Sequence, residues 1–118
     1  MMTVLTMERE KLFGLLELDT DGTVLYSRID NGENVRDLNA SGIRGLNFYT
    51  EVAPFKNAKE FQECLEDFQL SHQQASTIDF ICQYEDGPLK VRVLMARIRE
   101  YSGPNTTKSI LVHFRKAL

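Results

Sequence analysis

Little in this chain of 118 residues could staple it, anchor it in a membrane or bind it to a polyanion. Tryptophan is absent, proline occurs three times, and the two cysteines are Cys64 and Cys82. Both sit in apolar patterns and read as buried, reduced thiols. They lack the close pairing of zinc ligands, so no metal is expected. The 14 basic residues are outnumbered by 17 acidic ones, giving a formal charge of −3. That balance offers no basic face for phosphates, so nucleic acid is not an expected partner. No apolar run approaches the roughly 18 residues that a membrane span needs. Residues 1–11 carry Glu8, Arg9, Glu10 and Lys11 in place of a secretion signal's apolar core. A cytoplasmic protein is the expectation, and the sequons at Asn39 and Asn105 are then chance matches.

What is present is the composition of one globular domain, 42% hydrophobic and 26% charged. Residues 1–11 read as an N-terminal cap and residues 12–118 as a single domain. Residues 12–18 form an apolar strand, and Asp19-Thr20-Asp21-Gly22 turns the chain into a second strand over residues 23–29. A polar stretch, residues 30–41, suits short helical turns and loop. Residues 58–70 place Phe61, Cys64, Leu65 and Phe68 on one face, which predicts an amphipathic helix. After a polar link over residues 71–76, Ile78, Phe80, Cys82 and Tyr84 alternate with polar residues, apart from Ile81. Turns at Gly87-Pro88 and Gly103-Pro104 set off two more strands, residues 89–101 and 108–115. Two strands, helices and then three meandering strands make an α+β fold, an antiparallel sheet with one face covered by helices.

Between the first hairpin and the long helix, residues 45–55 read Gly-Leu-Asn-Phe-Tyr-Thr-Glu-Val-Ala-Pro-Phe. The run resembles the Gly-x-Asn-Phe-(aromatic)-x-x-Val-Ala-Pro-Cys segment of the photoactive yellow protein family, blue-light receptors of the PAS superfamily. The similarity covers residues 15–112 and is tightest, without gaps, from residue 45 to residue 95. Glu60-Phe61, the strand ending at Tyr84, and Pro88-x-Lys90-Val91-(basic)-Val93-x-Met95 all fall in register. The resemblance implies a PAS fold, a five-stranded antiparallel sheet with helical segments on one face. In that family the cysteine thiolate carries a p-coumaroyl thioester, and Phe55 stands in its place here; a phenyl ring cannot form that bond. The tyrosine and glutamate that tune the family's chromophore fall on Ser27 and Asn31, which supply no carboxylic acid. The resemblance therefore implies a module without that photochemistry and without a covalent cofactor.

Other chemistries fare no better. The thiol of flavin-adduct relatives is absent from residues 45–50. His72, the helical-region histidine that a haem relative would use, lies past the helix's last apolar residue and reads as solvated. An EF-hand begun at Asp19 would need Gly and Glu where Val24 and Asp30 stand. No nucleophile elbow accompanies the serines, so no catalytic residue is assigned. Lys90, Arg92, Arg97, Arg99, Arg115 and Lys116 read as a solvated sheet face. Ile81, Leu94 and Ile98 interrupt that face and mark a candidate interface, with His113 on the same side.

Two readings result. In the first, the chain is a non-enzymatic sensory and signalling module acting by protein interaction and conformational change, as a homodimer or with a signalling partner. In the second, it senses a small molecule held without a covalent bond in a pocket bounded by Ser27, Asn31, Arg36, Phe48, Val52, Phe55 and Phe80. Arg36 would there pair with an anionic group.

Overall fold

A computed structural model describes residues 11–30, 42–99 and 107–117. Asn31, Arg36, both sequon asparagines and nearly all of the expected N-terminal cap lie outside these residues. Within them, five strands form one antiparallel sheet: β1 (Gly14–Asp19), β2 (Val24–Ile29), β3 (Ala75–Tyr84), β4 (Gly87–Arg99) and β5 (Thr107–Lys116). Their spatial order is β2-β1-β5-β4-β3, so the last strand in sequence lies at the centre and β2 and β3 form the edges. Helix α1 spans Ala58–Leu70, and a single turn of π-helix, Phe48–Val52, precedes it. No helix among the described residues is long and apolar enough to cross a membrane.

The period-two pattern sorts the sheet into an inner and an outer face. Leu16, Leu18, Phe80, Cys82, Val91, Val93, Met95, Ile110, Val112 and Phe114 are buried on the inner face. There they pack with Phe61, Leu65 and Phe68, one stripe of α1. The opposite face carries Arg92, Leu94, Leu111, His113 and their neighbours, which solvent partly covers.

Three local expectations need correction. Strand β3 starts at Ala75, inside the stretch read as a polar link; Ala75 and Ser76 are short residues at the exposed start of an edge strand, where apolar alternation has not begun. Cys64 is only half-buried, because it lies at the margin of the helix's apolar stripe, while Cys82 is buried in the sheet. Arg97 does not lie on a solvated face. Parity places it after Val91, Val93 and Met95 on the inner side, and it is 8% exposed.

Candidate functional site

The segment over residues 45–57 is built around one asparagine. The side-chain oxygen of Asn47 accepts the amides of Tyr49 (3.0 Å) and Thr50 (3.1 Å), capping the π-turn, and its amide donates to the Asp21 carbonyl (3.1 Å). The Phe48 amide donates to the Gly22 carbonyl at 2.8 Å, and Glu51 accepts the Asn47 amide at 2.8 Å. The turn is thereby tied to the β1–β2 hairpin. Gly22 holds φ +96°, and a Cβ there would sit 2.5 Å from the Tyr49 ring, so the close approach requires glycine. The Ala53 amide closes the wide turn on the Phe48 carbonyl at 2.8 Å, and Pro54 follows.

This anchoring aims Phe48 and Phe55 into the core. Phe55 is 3% exposed and lies 6.0–6.3 Å, centroid to centroid, from five rings: Phe48, Phe61, Phe80, Tyr84 and Phe114. Several of these contacts are edge-to-face, the arrangement that ring quadrupoles favour. Phe61 stands 5.2 Å from Phe114 and 5.4 Å from Phe80, which ties the helix to the sheet through the same cluster. Tyr49 sits at the cluster's margin, where burial, then the carboxylates of Glu66 and Asp21, raise its phenol above the usual range.

Tyr84 is the cluster's polar member. Its hydroxyl accepts the Leu12 amide at 2.9 Å in a buried setting. Lys11 lies 4.6 Å above the Tyr84 ring centroid and pairs with Asp86 at 2.8 Å. Burial pushes the Tyr84 phenol up to about 12, against the opposing pull of the Leu12 amide. Burial likewise pushes the neighbouring Cys82 thiol to about 12, which leaves it protonated and a poor nucleophile at neutral pH.

Of the seven residues named for a pocket, the structure brings Phe48, Phe55 and Phe80 together as one aromatic mass. Val52 is half-buried at the end of the π-turn and packs against that core. Ser27 is 6% exposed on β2. The three interface residues share the outer face without forming one patch. Ile81 opposes Lys90 on the β3 edge, Leu94 lies between Thr77 and His113, and Ile98 faces Ser109. Leu94 instead joins Leu15, Ala96, Leu111 and His113 around a shallow concavity of about 300 Å³, with Arg28 and Asp30 at its rim.

Arg97 was not distinguished from the other basic residues by sequence reasoning. Its guanidinium donates to the carbonyls of Phe68 (2.8 Å), Ser71 (3.0 Å) and Gln73 (3.2 Å) and to the Thr107 hydroxyl (2.7 Å), and it stacks 5.0 Å from the Phe68 ring. These carbonyls belong to the C-terminus of α1 and the chain just beyond, where helical acceptors are left over and the macrodipole favours a cation. Strand parity after Met95 was the available signal.

No protein-family model matches the chain. Among solved structures, the PAS domain of BvgS from Bordetella pertussis superposes with a TM-score of 0.62 at 13% identity, covering 98% of this chain and 85% of that one. The photoactive yellow protein domain of the sensor histidine kinase Ppr from Rhodospirillum centenum gives a TM-score of 0.50 at 20% identity, covering 88% and 85%. At these identities the likeness establishes the PAS fold. Sequence similarity reaches further: the photoactive yellow protein of Halochromatium salexigens is 31% identical over 86 residues, 72% of this chain and 67% of that protein. With the five-stranded sheet, the Asn47-capped turn and that identity in agreement, the chain belongs to the photoactive yellow protein family.

Proposed function

We propose that this domain is a sensory signalling module that acts by self-association and conformational change, and that it does not run the covalent-chromophore photocycle of its family. The observation that carries this reading is Phe55. The motif resemblance over residues 45–55 would put it at the family's thiol position, and its ring lies among five others with almost no exposure. Close-packed aromatic rings leave neither a nucleophile nor free volume at that point. The two cysteines lie elsewhere, Cys82 buried in the sheet and Cys64 half-buried on α1, and desolvation raises both thiols.

Output through the sheet's outer face has its own support. Leu94 is 40% exposed beside Leu15, Leu111 and Ala96, an apolar centre on the sheet's outer face. The edges on either side each carry both signs of charge: Arg28 on β2 with Asp30 just past its end, and Asp79 with Arg92 at 3.1 Å across β3 and β4. Two copies stacked face to face about an axis along the central β5 would set one copy's β2 edge over the other's β3 edge. A second copy is therefore the occupant that fits, as an isologous contact requires.

Native mass spectrometry with an absorption spectrum on one purified sample tests both parts. A colourless, ligand-free dimer that Leu94→Glu converts to monomer supports the reading. Visible absorption or extra bound mass would overturn it in favour of a small-molecule sensor, and a protein that stays monomeric at every concentration would refute the outer face as a self-association surface.

A further inference from the structure

Strand β3 is an edge whose outward backbone groups divide into a sealed length and an open one. Successive residues of an antiparallel strand turn their N–H and C=O groups alternately toward and away from the neighbouring strand. The pairing of β3 with β4 runs unbroken from Ala75 to Tyr84. At its C-terminal end all the outward groups but the Ile81 amide are satisfied: the Asn57 side chain donates to the Ile81 carbonyl (2.8 Å) and accepts the Gln83 amide (2.9 Å), and the Lys56 amide donates to the Gln83 carbonyl (2.8 Å). By the same alternation Thr77 and Asp79 also turn their amides and carbonyls outward. No described residue bonds those backbone groups.

The cover of the inner face fails at the same place. Ser76 and Ile78 are only half-buried, while Phe80, Cys82 and Tyr84 further along the strand are buried. Between this open length and the C-terminal half of α1 runs a groove of about 250 Å³, floored by Cys64, Phe68, Ile78 and Met95. Its helical rim is acidic: Asp67 lines the groove, and Glu60 and Glu63 lie close enough, with Asp67, to act electrostatically on Cys64.

We propose that the open length of β3, around Thr77 and Asp79, is a docking edge for an extended, basic peptide segment of a partner protein. The main chain of that segment adds as a sixth strand, the mode in which backbone bonds give affinity and alternate side chains give specificity. Arg or Lys at alternate positions suits the groove, because their aliphatic stems lie along Phe68, Ile78 and Met95 while the cationic head reaches the Asp67 and Glu63 carboxylates. A neutral apolar segment would leave that acidic rim unmatched, and an acidic one would be repelled. This edge is distinct from the outer face and does not depend on self-association there.

The probe is a blocked peptide of alternating Arg and Thr residues, titrated into the labelled protein and followed through backbone amide resonances. Shifts and slowed hydrogen exchange at Thr77, Asp79 and Ile81 are expected. A peptide N-methylated on its edge-facing amides, and one with Glu in place of Arg, should each lose about tenfold or more in affinity. Thr77→Pro, which removes an outward amide at a position where edge strands tolerate proline, should weaken binding as well, with circular dichroism unchanged. If that variant does not fold, the N-methylated peptide makes the same test on the unaltered protein. Absence of binding, shifts confined to the outer face around Leu94 and His113, or an affinity indifferent to N-methylation or to the charge of the peptide would each overturn the proposal.

Discussion

Replacing Phe55 with Ala tests the central feature of the core. The ring is 3% exposed and touches five aromatic neighbours, so its removal forfeits both transfer free energy and packing. Burying a phenylalanine side chain contributes about 1.5–3 kcal/mol. A residual void on the order of 80 Å³, at about 24 cal/mol per Å³, adds about 2 kcal/mol. The sum, about 3.5–5 kcal/mol, is a large share of the 5–15 kcal/mol typical of a domain. In urea, with a slope of about 2 kcal/mol per M, the midpoint should fall by roughly 2 M without a change in slope. Circular dichroism is the readout, since the chain has no tryptophan. Phe55→Leu, which keeps most of the volume, should cost less than about 1.5 kcal/mol. A loss below about 1 kcal/mol for the alanine variant would refute the argument, because a ring so enclosed cannot be removed cheaply unless neighbours collapse into its place.

Tyr84→Phe removes the acceptor of the buried Leu12 amide and should destabilise by about 1–3 kcal/mol in the same urea assay. Alkaline pH should act through raised folded-state values: Cys82 from 9.0 to about 12 and Tyr84 from 10.0 to about 12. The unfolded chain ionises these groups first and binds fewer protons, so their contribution is intact below pH 9 and is lost as pH rises from there through about 12, measured by urea midpoints across pH. Arg97→Met removes the donor of the Ser71 and Gln73 carbonyls, and one donor of the Phe68 carbonyl, which keeps the Ser71 amide and hydroxyl; it should cost about 1.5–3 kcal/mol, with faster amide exchange in the last turn of α1. Arg97→Lys should rescue little of this, since a single ammonium cannot reproduce the fork that holds five acceptors at once.

Periodicity carried most of the fold. The apolar spacing of Phe61, Leu65 and Phe68 located α1 to its ends, and alternation located β3, β4 and β5 to within a few residues. What it could not locate was the start of β3 at Ala75, because short residues on an edge strand bury nothing and so carry no pattern. The π-turn over Phe48–Val52 was equally invisible, since five residues closing one wide turn have no period. Arg97 was misjudged by chemistry overriding geometry: its parity pointed inward, but a cation without a carboxylate partner is not an expected core residue. The helix end resolves that conflict by supplying carbonyls in place of a counter-charge.

Asn57 shows why the site was harder to read than the fold. It stands at the N-cap of α1, where asparagine ordinarily bonds the first free amides, yet it makes no such side-chain bond. Its amide reaches Ile81 and Gln83 across 24 and 26 residues of sequence, imitating a short length of added strand. Only the folded arrangement reveals that choice, because capping and edge-sealing use the same residue type at the same position. The consequence is mechanical. Phe55, seated in the aromatic cluster, and Asn57, sealing the edge, are two residues apart, with the Lys56 amide bonded to Gln83 between them. A displacement of the Phe55 ring would have a two-residue backbone link to the β3 edge, with no intervening loop. Such a displacement becomes a signal only if something binds the two positions unequally, whether a second copy on the outer face or a strand added beside Thr77.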